Sequence, residues 1–217
     1  MKLLICTQAV DAHDPILGFF HRWIEEFAKH CAHVSVICLR EGSHRLPKNV
    51  RVFSLGKEAL GAQTGFTRRI LYAARFLKYT WRLRHEYDSV FVHMNPEYAM
   101  LGGLLWRLWG KKIGLWYVHK NVDLKLRVAM HLTRVAFSAS KESFRLKTRK
   151  LRIIGHGIDT AFFTPEARTV RGAHWVSVGR LHPSKRHDLA IRAAAAEGRT
   201  LHIAGEGPER EGLEALV

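Results

Sequence analysis

Arg180 and Lys185, in the stretch Val178-Gly-Arg-Leu-His-Pro-Ser-Lys185, put two fixed positive charges five residues apart, after an apolar run and before an Ala-rich segment. Where a strand hands over to a helix, backbone N–H groups and the positive end of the helix dipole point at the same spot. Guanidinium and ammonium groups there would hold a diphosphate, because an open parallel sheet collects ligands at the carboxyl ends of its strands. Spacing alone allows an equal alternative, a surface loop with two solvated charges.

The elements that must carry these residues follow from the hydrophobic pattern. Short β-branched or apolar runs alternate with longer helical periodicities, which predicts an α/β fold of βα units around a mostly parallel sheet. Strands are expected at Leu3 to Cys6, His33 to Leu39, Val50 to Ser54, Ser89 to His93, Ile113 to His119, Arg134 to Ser138 and Leu151 to Ile154. Helices are expected at 17–31, 66–86, 97–110, 123–132 and 141–147. A Gly-rich break closed by Pro, GHGIDTAFFTP at 155–165, reads as a linker that ends a first domain of 1–165. The pattern then restarts with a strand at 173–178, a helix at 185–197, a strand at 200–204 and a helix from about 208, so 166–217 reads as the incomplete start of a second domain.

Composition narrows the partners. Across 217 residues, 35 Lys and Arg against 19 Asp and Glu give a net charge of +16, which calls for an anionic partner such as phosphate esters, anionic lipid or nucleic acid. No zinc-finger, RRM-like or helix-turn-helix signature supports nucleic acid. Cys6, Cys31 and Cys38 form neither a CxxC pair nor a metal-ligand spacing and read as buried reduced thiols in a cytoplasmic protein. MKLLICTQAV reads as a first strand rather than a signal peptide, and no apolar run is long enough to span a bilayer.

VGRLHPSKRHDLAIRA resembles the V-G-R-L-x-P-x-K-G-x-D-x-L-I-x-A segment that opens the second Rossmann-like domain of retaining glycosyltransferases of family four, which have the two-domain GT-B fold. Three further stretches match that family in order. GHGIDTAFFTP resembles the interdomain N-G-V-D-x-x-x-F-x-P, FSASKESF the strand-to-helix turn that closes the first domain, and LHIAGEGPEREGL the L-x-I-x-G-x-G-P-x-x-x-x-L segment. The specific motifs occupy residues 136–213, with Arg186 where the family usually has Gly and His156 where Asn is common.

The resemblance implies a GT-B fold and transfer of a sugar from a nucleoside diphosphate sugar, with retention of configuration, to a glycan or lipid-linked acceptor in cell-envelope polysaccharide synthesis. It assigns the donor diphosphate to Arg180 and Lys185, with Gly18 of the first βα loop approaching the same phosphates. Gly205 and Gly207 fall in the loop lining the nucleotide pocket. His119 is placed like the His that contacts the transferred sugar, and His93 could line the acceptor pocket. No metal and no cofactor beyond the donor are implied. The family's E-x7-E element lies beyond residue 217 in a full-length enzyme, and Glu206 and Glu214 have that spacing in the wrong place. A partner chain supplying the missing half-domain is an associated expectation.

Residues 66–85, FTRRILYAARFLKYTWRLRH, hold six Lys or Arg and no acid. A helical wheel groups Phe66, Ile70, Ala73, Ala74, Leu77 and Trp81 on one face and Arg68, Arg75, Lys78 and Arg82 on another, flanked by Tyr72, Phe76, Tyr79 and Leu83. Two readings stay open: a core-packed helix with a solvated basic side, and an interfacial helix on anionic lipid. MLGGLLWRLWGKK at 100–112, with Trp106 and Trp109 beside Arg107, Lys111 and Lys112, also suits an interface. The function expected is thus a peripherally membrane-associated glycosyltransferase. The alternative is a non-catalytic basic Rossmann-like module that binds an anionic membrane or a partner chain.

Overall fold

A computed structural model describes residues 1–60, 65–164 and 174–217. The chain divides into two compact units, Met1–Gly157 and Ile158–Val217. In the first, β1 (Lys2–Val10), β2 (His33–Glu41), β3 (Val50–Ser54), β4 (Ser89–His93), β5 (Lys112–Trp116), β6 (Val135–Ser138) and β7 (Leu151–Ile153) form one sheet in the order β3-β2-β1-β4-β5-β6-β7. Every neighbouring pair is parallel. β1 is central and reads Leu-Leu-Ile-Cys-Thr because a parallel strand is buried on both faces.

Alternation along β1 sends Leu3 and Ile5 to one face and Leu4 and Cys6 to the other. The first face is covered by α1 (Phe19–His30) through Phe20, Ile24 and Ala28. α3 (Phe66–Arg82), α4 (Pro96–Leu108) and α5 (Leu124–Leu132) cover the second through Phe76, Ala99, Trp106, Leu126 and Ala129. A short α2 (Lys57–Leu60), which the pattern did not suggest, follows β3. The strand order reverses between β1 and β4, so the loops after these two strands flank a crevice at the carboxyl ends. Cys6, Cys31 and Cys38 are buried free thiols, and burial pushes those of Cys6 and Cys38 far up.

The second unit holds β8 (Trp175–Val178), α6 (His187–Ala196), β9 (Leu201–Ala204) and α7 (Arg210–Glu214), with β8 and β9 parallel. The expected strand start at Ala173 and the linker's closing Pro165 lie outside the described residues.

Several expectations are corrected. No helix forms over 141–147; that segment is a series of turns in which Phe144 makes an isolated parallel bridge to His119. β5 stops at Trp116, so His119 stands three residues past the strand rather than closing it. On α3 the expected face is not the buried one: Phe66 is 79% exposed, Ile70 54% and Trp81 54%, whereas Phe76 and Thr80 are buried. The helix carries two apolar stripes, and the aromatic one wins because Phe76 fits between Tyr98 and Trp106. Arg75 is not a free surface charge, since its guanidinium donates to the Leu55 carbonyl at 2.7 Å. Trp106 is a core residue rather than an interfacial one, fully buried with its indole N–H donating to the Tyr87 hydroxyl at 3.0 Å.

Candidate functional site

In the second unit, the βα turn after β8 is Gly179-Arg180-Leu181-His182, followed by one 3-10 turn, Pro183–Lys185. α6 opens only at His187, two residues later than Lys185. Arg186 between them takes a left-handed conformation, φ 53°, which explains why glycine suits this position. The Arg186 guanidinium is spent on a bidentate contact with Asp188, both N–O distances 3.0 Å. Arg180 and Lys185, by contrast, are exposed and have no carboxylate partner among the described residues. The aliphatic stem of Lys185 lies beside the backbone that leads into Arg180, for a Cβ built on Gly179 would meet the Lys185 Cδ at 3.8 Å.

The glycine loop after β9 is locked to this turn by backbone. The Gly179 N–H donates to the Ala204 carbonyl at 3.0 Å and the Leu181 N–H to the Glu206 carbonyl at 2.9 Å, which extends the parallel ladder past both strands. A Cβ on Gly205 would run into the Gly179 carbonyl, and one on Gly207 into the Leu181 carbonyl. Both glycines are therefore demanded by close backbone approach. Glu206 and Glu214 both pair with Arg210, which disposes of their E-x7-E spacing.

His187 escaped the sequence reading. It is 2% exposed, its Nε2–H donates to the Arg180 carbonyl at 3.2 Å, and its Nδ1 accepts from the Ser177 hydroxyl at 3.0 Å. An imidazole thus ties the strand to the carbonyl of the residue that carries the clamp's guanidinium. Its only sequence signal was a His two residues past Lys185.

At the switch point of the first unit, the β1–α1 loop is tied down by Asp14, whose Oδ1 accepts the N–H groups of Ile16 at 2.8 Å and Leu17 at 2.7 Å. Burial pushes the Asp14 carboxyl up, but these hydrogen bonds and the paired Arg40 outweigh it and hold the carboxyl below the usual range. Gly18 ends this loop at the start of α1; its N–H donates to the Asp14 carbonyl at 3.0 Å, and a Cβ there would stand 2.7 Å from the same oxygen. The turn itself therefore requires glycine.

The residues that follow Gly18 pack on His93. Phe20 stacks on the His93 imidazole with centroids 3.9 Å apart, Phe19 packs edgewise on it and Trp23 lies tilted beside it. His93 is 1% exposed, its Nδ1 is 3.1 Å from the Thr7 hydroxyl, and its Nε2 has no partner among the described residues. Burial pulls its pKa down to about 3, so the ring is neutral. His119 is exposed on the neighbouring connection; its Nδ1 accepts the Asn121 N–H at 3.1 Å, so the proton of the neutral ring sits on Nε2, available for donation. No group of three or more His, Cys, Asp or Glu among the described residues is placed to hold a metal ion. Among the same residues, no helix is long and apolar enough to cross a membrane.

No known family model matches the sequence, and no curated protein does. Solved structures are similar. HepE from Anabaena, in complex with UDP, superposes with a TM-score of 0.69 at 16% identity over 100% of this chain and 64% of that one. WaaG, a glycosyltransferase involved in lipopolysaccharide biosynthesis, gives 0.62 at 13% over 99% and 67%. The UDP-GlcNAc 2-epimerase from Methanocaldococcus jannaschii gives 0.54 at 12% over 94% and 65%. The chain thus spans about two thirds of the length of these neighbours. Its α/β architecture is of the GT-B type, a Rossmann-like parallel-sheet domain followed by part of a second.

Proposed function

We propose that this chain is the acceptor-side domain, 1–165, and the start of the donor-side domain, 166–217, of a glycosyltransferase that moves a sugar from a nucleoside diphosphate sugar to an acceptor with retention of configuration. The carrying observation is the pair Arg180 and Lys185: two exposed cations without acidic partners among the described residues, on a turn whose carbonyl is tethered by His187 and whose backbone is sealed to the Gly205 loop. Fixed cations of this kind stabilise a departing diphosphate as its charge develops. UDP in HepE and the transferase neighbour WaaG support the donor class.

Within this reading Gly18 lets the first loop approach the donor phosphates. Nε2–H of His119 donates to the transferred sugar, and His93 backs the acceptor pocket from beneath the Phe20 ring. The Gly205 and Gly207 loop lines the nucleotide pocket. The acceptor is lipid-linked or membrane-proximal, and the first domain rests on an anionic membrane through the exposed row of Phe66, Ile70 and Trp81 on α3, with Arg69, Lys78 and Arg82 beside it.

Calorimetric titration of UDP tests the clamp. Arg180→Ala and Lys185→Ala should each weaken binding by about tenfold or more, the worth of a charge-assisted hydrogen bond. Equal losses from distant lysine substitutions would reduce the effect to bulk charge and favour a non-catalytic basic module.

A further inference from the structure

At the amino-terminal ends of β5 and β6, the end opposite the crevice at the strands' carboxyl ends, lies a surface pocket of about 450 Å³. Arg107, Lys111, Lys112, His131, Arg134 and Lys150 line it, and none of the lining residues is acidic. These residues come from the end of α4, β5, the end of α5 and the turn before β7, so only the fold assembles them.

Three of the cations donate to carbonyl oxygens and make no ion pair among the described residues, with Lys111 also over the Tyr87 ring, 5.1 Å from its centroid. The Lys150 ammonium donates to the Met130 and Thr133 carbonyls at 2.6 and 2.7 Å, Lys111 to the Tyr87 carbonyl at 2.6 Å, and Arg107 to the His131 carbonyl at 3.3 Å. Carbonyls at helix ends carry only partial negative charge and leave the cluster uncompensated. Lys112 and Arg134 are exposed and make no ion pair among the described residues. Burial and the Arg107 charge both push the Lys150 pKa down, as expected where cations crowd together.

The rim is apolar. Leu104 and Leu108, one helical turn apart on α4, are 64% and 82% exposed, and Trp109 packs edgewise on the exposed Trp81 of α3, with centroids 5.6 Å apart. A concentrated positive pocket beside solvent-facing leucines and tryptophan fits a ligand with a phosphate at one end and hydrocarbon at the other. We infer that this pocket binds the phosphate headgroup of an anionic phospholipid, with the acyl chains lying along Leu104 and Leu108. The inference rests on the membrane reading above and adds to it one defined headgroup site.

The test compares the pair Lys112→Gln and Arg134→Gln with a distant exposed pair, Arg45→Gln and Lys48→Gln, in sedimentation with phosphatidylglycerol vesicles. Each basic residue at an anionic surface is worth about fivefold in partition, so the pocket pair should lose about 30-fold and the distant pair much less. Dihexanoylphosphatidylglycerol below its micelle concentration should bind the parent chain and not the pocket pair, whereas inorganic phosphate alone should bind weakly to both. Equal loss from the two pairs overturns the pocket, as does tighter, pocket-dependent binding of a single-stranded oligonucleotide. If Lys78→Gln with Arg82→Gln releases the protein while the pocket pair does not, the headgroup site fails and the membrane reading stands; a parent chain that ignores the vesicles removes both.

Discussion

The two units are built from the same βα unit and buried to very different degrees. β1 of the first is shielded on both faces by helices and has strands on both edges. β8 of the second has one partner strand among the described residues and leaves Val176 68% and Val178 78% exposed. A two-stranded sheet with so much apolar surface in water is marginal by itself. The first unit is therefore held by its core. The second is held by backbone-to-backbone contact at Gly179, Gly205 and Gly207 and by the His187 tether. The region that carries the proposed donor clamp is the one with less of its own packing energy.

The sharpest way to break this contrast is Trp106→Ala. Emptying that fully buried site should cost the first unit about 3–5 kcal/mol in denaturant unfolding, while hydrogen exchange at Leu181 and Ala194 stays as it was. Coupled loss in both would show that the units share one cooperative transition. Gly205→Ala works on the other side: its methyl must displace the Gly179 carbonyl, at about 1–3 kcal/mol. UDP binding should fall, with first-unit unfolding unchanged.

Acid separates the units further. His93 is neutral in the fold with a pKa near 3, against an ordinary 6.5. The unfolded chain takes up a proton first, so stability present above pH 6.5 is lost as pH falls toward about 3, at about 1.4 kcal/mol per pH unit from this group. His93→Gln should lose that slope, so the stability difference between variant and parent should itself change with pH across this window; a variant profile parallel to the parent's would assign acid sensitivity elsewhere. The smallest effect belongs to Arg186→Gly, which relieves a left-handed backbone and gives up a solvent-exposed ion pair. A slight rise in the melting temperature of the second unit alone is expected.

Strand positions were largely legible, because apolar runs of this length declare themselves: β3 and β4 match the expected bounds, and β2 differs only at its end. β1 runs four residues further than expected, to Val10, since Gln8 breaks the apolar run while Thr7, Ala9 and Val10 are held by pairing with β2. The Arg180 and Lys185 turn was visible as a motif, but the reason for its glycines was not, as it lies in a neighbouring loop 26 residues on. The missing helix at 141–147 has a similar cause: Phe144 finds a bridge to His119, which no local periodicity announces.

By itself the sequence determined the class of fold and the place where two fixed cations meet a strand end, because each depends on local period or on residues close in the chain. Tertiary structure decided which of two apolar stripes on α3 is buried, that Arg75 serves a carbonyl and Trp106 the core, and that His93 is sealed and neutral. It alone gathered Arg107, Lys112, Arg134 and Lys150 into one pocket. Period sets what an element is, but which side of it meets water depends on neighbours supplied from far along the chain.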